Sequence, residues 1–138
     1  MRPLDHLKAG LSAETDFVVT REMTIGHFIV GMPFVYATPV MVLHMEMAAG
    51  SAIASALPDG FVSVGMAISV RHLAATAIGR KVRAIAQVTA MDEKSVFFRI
   101  EAWNDERRIG DGTHRRGIVN VQEFERRFGV RPLAMSLD

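Results

Sequence analysis

Three side chains, Glu46, His72 and Thr38, have the types and settings that catalysis uses. Glu46 sits in the middle of a long apolar run, Pro39 to Leu57, with Val42, Leu43, Ala49 and Gly50 at its helical neighbour positions. A carboxylate among such neighbours must be partnered, kept protonated, or turned outward, because burying an unpaired charge is expensive. A carboxyl tuned toward neutral pH inside a cleft suits a general base, whereas a structural cap or arginine partner is the plainer role. His72 ends an alternating segment and shares its register with Val62, Val64, Met66, Ile68 and Val70, so it is expected to face the apolar run. Glu46 is the acidic residue on that run. A Glu–His pair is the orienter and base of a catalytic set, and a buried structural pair predicts the same contact.

Thr38 precedes Pro39, the pattern of an N-cap followed by proline in the first helical turn. Its hydroxyl is therefore expected to cap the helix. A helix start also offers free N–H groups and the positive end of a dipole, suited to a carbonyl or oxyanion. Eight residues separate Thr38 from Glu46, which on a helix is about 12 Å. The two cannot touch within one chain, so His72 and substrate bridge them or a second subunit supplies one of them.

The remaining histidines, His6, His27, His44 and His114, make no metal-ligand spacing. Most of the Lys and Arg lie beyond residue 80, including the pairs Arg107-Arg108, Arg115-Arg116 and Arg126-Arg127. Such pairs could clamp a phosphorylated ligand such as coenzyme A, although a solvated face is their commoner role. Phe34, Tyr36, Phe97 and Trp103 read first as core or interface.

The elements that position these residues follow from periodicity. Glu14–Thr20 reads as a first strand, then a loop, then one helix from Thr38 to a stop at Pro58-Asp59-Gly60. Four strands follow as a meander. Residues 61–72 place their even positions inward. In residues 80–91 Val82, Ala84, Ala86, Val88 and Ala90 share a face, and in residues 95–103 so do Val96, Phe98, Ile100 and Ala102. A last strand over 107–121 is expected to break near Gly110 and Gly112. A single helix apolar nearly all round must be wrapped, and a curved antiparallel sheet can do this. The pattern is α+β: one long helix in a sheet of about five strands, the hotdog arrangement. The run 39–57 is long enough to suggest a membrane span, but Glu46 near its middle and the lack of flanking Lys or Arg favour a buried helix.

At 138 residues the chain reads as one domain, with residues 129–138 a loose end. Lys and Arg total 16 against 15 Asp and Glu, a net charge of +1 that argues against a nucleic-acid partner. The hydrophobic share is 49% before glycine is counted, high for a chain that buries only about two-thirds of its surface alone. That excess points to a homodimer or larger homo-oligomer. There is no cysteine, which excludes disulfides, thiolate metal sites and Cys nucleophiles. The first residues have no signal-peptide core, so the expectation is a cytoplasmic protein without a membrane segment.

Three blocks carry a family resemblance: V-Y-A-T-P-V-M-V-x-x-M-E over 35–46, G-x-A-I-x-V-x-H-x-A-A-T over 65–76, and I-G-x-G-T-H-x-R over 109–116. Together they resemble the fluoroacetyl-CoA thioesterase family over 35–124. The resemblance implies a dimeric hotdog that hydrolyses a short acyl-CoA thioester, with coenzyme A present as part of the substrate and no other cofactor or metal. It places the family's catalytic residues on Thr38, Glu46 and His72 and its ligand-contacting residues on Gly65 and Arg116. Thr38 would then hold or attack the thioester carbonyl, Glu46 would act as base or water activator, and His72 would shuttle the proton. The stretch ahead of the helix is shorter than the family's, and its phenylalanine gate falls on Met32, with Phe28 and Phe34 nearby. General thioester chemistry is implied, fluoroacetyl selectivity is not. A non-catalytic hotdog module binding an acyl-CoA is the alternative. A hydratase would need a paired Asp and His before the helix, which the sequence lacks.

Overall fold

A computed structural model describes residues 6–130. Five strands form one antiparallel sheet: β1 (Ser12–Val18), β2 (Phe61–His72), β3 (Lys81–Met91), β4 (Ser95–Trp103) and β5 (Arg108–Asn120). Among the described residues three α-helices accompany them, a single turn α1 (Ile25–Phe28), the long α2 (Thr38–Ala54) and α3 (Val121–Phe128), with a 3-10 turn at Arg21–Met23. The sheet curves around α2, so the hotdog arrangement expected from the pattern is the fold.

Close packing of α2 is possible because β3 faces it with small side chains. Ala84 and Ala86 are fully buried, as are Met41, Met45, Ala48, Ala49 and Ile53 on the helix. Val82, Val88, Val96, Phe98, Ile100 and Ile109 complete this core. Each large side chain so buried stabilises the fold by about 1.5–3 kcal/mol. The inward sets expected for β3 and β4 hold except at Ala90, which a bulge after Val88 turns outward.

Several boundaries and pairings differ from expectation. The strand order is β1-β3-β4-β5-β2, so only β3, β4 and β5 form a meander. β2 crosses to the far edge and pairs with β5, which leaves its other edge open. β1 begins and ends two residues earlier than the sequence suggested. α2 stops at Ala54, ahead of the Pro58 turn. In β2 a bulge between Gly65 and Ala67 reverses the register: Ile68, Val70 and His72 follow the expected even face, but Ser63 and Gly65, not Val62 and Val64, face the helix before it.

β5 runs unbroken. Its Gly112 serves close approach, since a Cβ there would lie 2.0 Å from the Ser69 carbonyl oxygen. α3 was not anticipated. Asn120 starts it by accepting a hydrogen bond from the Glu123 N–H at 3.1 Å. Gly129 closes this helix, and the rest of the expected loose end, from residue 131 on, lies outside the described residues. Among the described residues, no helix is long and apolar enough to cross a membrane.

Candidate active site

Thr38 is the first residue of α2, and the capping position before it belongs to Ala37, which has no capping side chain. The threonine hydroxyl is therefore not occupied in capping as the sequence suggested. Its Oγ1 lies 2.8 Å from Nδ1 of His72, the last residue of β2. Backbone bonds bring these distant residues together. The Tyr36 N–H donates to the Thr76 carbonyl at 2.9 Å, and the Leu73 N–H donates to the Ile109 carbonyl at 2.7 Å. The chain leaving β2 thus runs beside the chain approaching α2.

The His72 ring is half-buried, and burial holds its pKa below the ordinary value, with the Ala74 carbonyl opposing in part. Nε2 is buried and makes no hydrogen bond of ordinary geometry. A neutral imidazole that accepts from Thr38 at Nδ1 carries its proton on Nε2, so this assignment leaves Nε2–H a donor awaiting an acceptor. The helix start offers fewer donors than expected. Pro39 has no N–H, and those of Val40 and Met41 already donate to the Ala37 carbonyl.

Glu46 lies two turns further along α2, against Gly65. A Cβ on Gly65 would come within 2.7 Å of Glu46 Oε2, so glycine makes the room this carboxylate occupies. Arg116 pairs with Gly65 across the β2–β5 ladder and places Nη1 3.6 Å from Glu46 Oε2. The guanidinium is fixed on its other sides. Nε donates to Ser63 Oγ at 2.8 Å, Nη2 donates to the Ser63 carbonyl at 3.0 Å, and Nη1 approaches His114 Nε2 at 3.2 Å. His114 Nδ1–H donates to the Ala67 carbonyl at 2.8 Å, which leaves Nε2 as the acceptor for Arg116. Burial lowers the pKa of His114, helped by the Arg116 charge and opposed by the Ala67 carbonyl and Glu46. The Glu46 side chain stays 37% exposed, against 11% for Arg116, so the carboxylate is paired on one side and open on the other.

The five residues singled out in the sequence therefore form two groups. Thr38 meets His72 at one end, and Glu46 meets Gly65 and Arg116 at the other. The expected Glu46–His72 pair does not form, because Glu46 packs beside Gly65, seven residues or about 23 Å of extended strand from His72. Neighbouring arginines point to opposite faces of a strand, so Arg115-Arg116 is not a clamp: Arg115 bonds Ser95 and covers Phe97 while Arg116 turns inward. The gate candidates Phe28, Met32 and Phe34 are all exposed, and the Arg21 guanidinium lies over the Phe34 ring, 4.4 Å from its centroid. A groove of about 560 Å³ lies away from both groups, on the outer face of the sheet against Phe124 and Phe128.

Sequence reasoning missed the partners of these groups. Ser63 gave no signal, and His114 was weighed only as a metal ligand. Tyr36 and His44, read as core and as a spare histidine, form a buried pair with Tyr36 Oη 2.5 Å from His44 Nδ1.

Comparison with known proteins agrees with this architecture. The family described as fluoroacetyl-CoA-specific thioesterase matches residues 19–122. The fluoroacetyl-CoA thioesterase of Streptantibioticus cattleyicolor is 33% identical over 126 residues, covering 87% of this chain and 91% of that one. A solved structure of the fluoroacetyl-CoA thioesterase FlK superposes with a TM-score of 0.85 at 32% identity, covering 93% of this chain and all of that one. A Thermus thermophilus protein described as a thioesterase superfamily member gives 0.83 at 34% identity, covering 94% of this chain and 93% of its own. With the catalytic-type residues set on this fold, the chain belongs to the fluoroacetyl-CoA-specific thioesterase family, a group of acyl-CoA thioester hydrolases.

Proposed function

We propose that the protein hydrolyses small or short-chain acyl-CoA thioesters to the free acid and coenzyme A. It does so as a homodimer whose sites each join Thr38 and His72 of one protomer to Glu46, Gly65 and Arg116 of the other. The observation that carries this reading is the 2.8 Å contact between Thr38 Oγ1 and His72 Nδ1, the geometry of a hydroxyl nucleophile and its base.

The chemistry follows from the groups. His72 takes the Thr38 proton at Nδ1 as the oxygen attacks the thioester carbonyl carbon. When the C–S bond breaks, the same proton passes to the departing sulfur. Glu46 then takes a proton from the water that attacks the acyl-threonine and gives it up to the Thr38 oxygen as that C–O bond breaks. The carboxylic acid leaves, and Thr38, His72 and Glu46 return to their starting states. Arg116 pairs with the Glu46 carboxylate and orients it. The reaction needs no metal or cofactor besides the coenzyme A of its substrate.

Three features support the dimer. The two groups lie too far apart in one protomer for a single carbonyl to reach both. β2 is an open edge strand, and Leu43 and Met47, on the same helix face as Glu46, are 55% and 46% exposed. Antiparallel pairing of β2 with its two-fold copy runs Gly65 of one protomer toward His72 of the other. Fluoroacetyl-CoA is not the favoured substrate in this reading, because the gate position falls on Met32 and not on a phenylalanine. A chain without cysteine acting on a coenzyme A ester suits the cytoplasm.

The test is thiol release from acetyl-, fluoroacetyl-, propionyl-, butyryl- and phenylacetyl-CoA. Turnover of a short acyl-CoA that disappears in Glu46→Gln supports the reading. Absence of turnover with every member, in a folded dimer, overturns it and leaves a ligand-binding module.

A further inference from the structure

The pair Tyr36–His44 is buried, polar and has no role in the chemistry above. Tyr36 is 1% exposed and His44 4%. Burial pushes the Tyr36 phenol far up and the His44 imidazole down, so both are neutral, and the phenol donates to Nδ1. Phe17 of β1 stacks flat on the His44 ring, with centroids 3.6 Å apart and planes within 5°. The Tyr36 and His72 rings meet edge to face, with centroids 6.2 Å apart and planes at 84°. Tyr36 also lies two residues before Thr38 and is tied by its backbone N–H to Thr76, just past His72.

We propose that Tyr36 and His44 are a positioning pair, whose buried hydrogen bond sets the His72 ring and the start of α2 so that the Thr38 hydroxyl meets Nδ1. A phenylalanine would fill the same space but would not fix the roll of the ring. The bond joins the strand-like approach to the body of α2, two turns in, while the stacked Phe17 fixes the imidazole from the sheet side. Any rotation of Tyr36 therefore moves both members of the Thr38–His72 contact. A polar pair is costly to bury unless fully matched, and here the phenol and Nδ1 satisfy each other.

The test compares Tyr36→Phe, His44→Leu and His44→Asn with the wild type, assayed well below each melting temperature. Asn places its amide oxygen where His44 has Nδ1 and so keeps an acceptor for the phenol. Tyr36→Phe and His44→Leu are expected to lower kcat for the short acyl-CoA by about 10- to 100-fold with KM little changed. His44→Asn is expected to recover most of that loss. The second readout is the ¹⁵N signal of the His72 ring. A single Nε2–H tautomer is expected in the wild type and His44→Asn, and mixed tautomers in the other two. Wild-type kcat and His72 signals in Tyr36→Phe overturn the proposal, as does an equal loss in His44→Asn and His44→Leu. The kinetic arm rests on the thioesterase reading; the ring signal does not, so a wild type without turnover would sink that reading and still decide the role of the pair. If His44→Leu does not fold, Tyr36→Phe against His44→Asn decides both readouts.

Discussion

The Thr38 hydroxyl oxygen lies 2.8 Å from Nδ1 of His72, while Glu46, on the same helix as Thr38, forms an ion pair with Arg116 at 3.6 Å instead. The candidate site residues are thereby divided into a hydroxyl–imidazole pair, the proposed nucleophile and base, and a carboxylate held apart from it beside a fixed guanidinium. On the proposed reading this division accounts for the exposed Leu43 and Met47 and the open β2 edge, since a second copy would bring the halves together.

If Thr38 and His72 act as a unit, removing either should cost as much as removing both. Thr38→Ala and His72→Ala should each lower kcat/KM on the order of a hundred- to ten-thousandfold, and the double variant no further. Thr38→Ser keeps the hydroxyl and should retain part of the rate. Steady-state kinetics on the four proteins checks this, and additive losses would show that the two residues act separately.

His72 must be neutral to accept the Thr38 proton, and burial holds its pKa below 6.5. The acid limb of kcat/KM should therefore have its midpoint below 6.5; a midpoint above that value contradicts the assignment. Stability should follow the same sign. His44, His72 and His114 are all held below 6.5, so the unfolded chain binds protons that the folded chain refuses. Denaturant unfolding should show their contribution intact above pH 6.5, falling as the pH drops from there to the lowered folded values, and level beneath them.

Two glycines of the β2–β5 ladder should separate function from stability. A Cβ at Gly65 would clash with the end of the Glu46 side chain, which can move aside, and would meet His114 Cε1 at an ordinary 3.5 Å. Gly65→Ala should cost under about 1 kcal/mol of stability and still lose most activity, because Glu46 leaves its place. A Cβ at Gly112 meets the Ser69 carbonyl oxygen and the Val70 Cα, which cannot move without opening the ladder. Gly112→Ala should destabilise by about 3 kcal/mol or more. Thermal melts with activity assays on both variants distinguish the two outcomes.

Much of this was legible in the sequence. The apolar run around Glu46 has few readings other than a wrapped helix, and the alternation of Val82 to Val88 and Val96 to Ala102 gave those faces correctly. The strand order was not legible, because periodicity assigns faces and not neighbours. The bulge after Gly65 was equally hidden, and it reverses which β2 side chains face Glu46. The signal for α3 was present in Asn120, Glu123 and Gly129, and the preceding strand pattern obscured it. Thr38 and His72 were each identifiable, but their contact depends on the chain running back past Thr76, which no local pattern encodes. The Tyr36–His44 bond has the same character: two side chains that read as core until the fold sets them face to face.

The most direct test of a site shared between protomers is to mix two inactive variants. Glu46→Gln and His72→Ala, each without activity alone, are combined, unfolded and refolded together, and assayed on the acyl-CoA that the wild type turns over. Random pairing makes half of the dimers mixed, and each mixed dimer has one site built from unaltered residues, so about a quarter of wild-type activity should return. A mixture as inactive as its parents, with dimers formed, would contradict the account by placing each whole site within one chain.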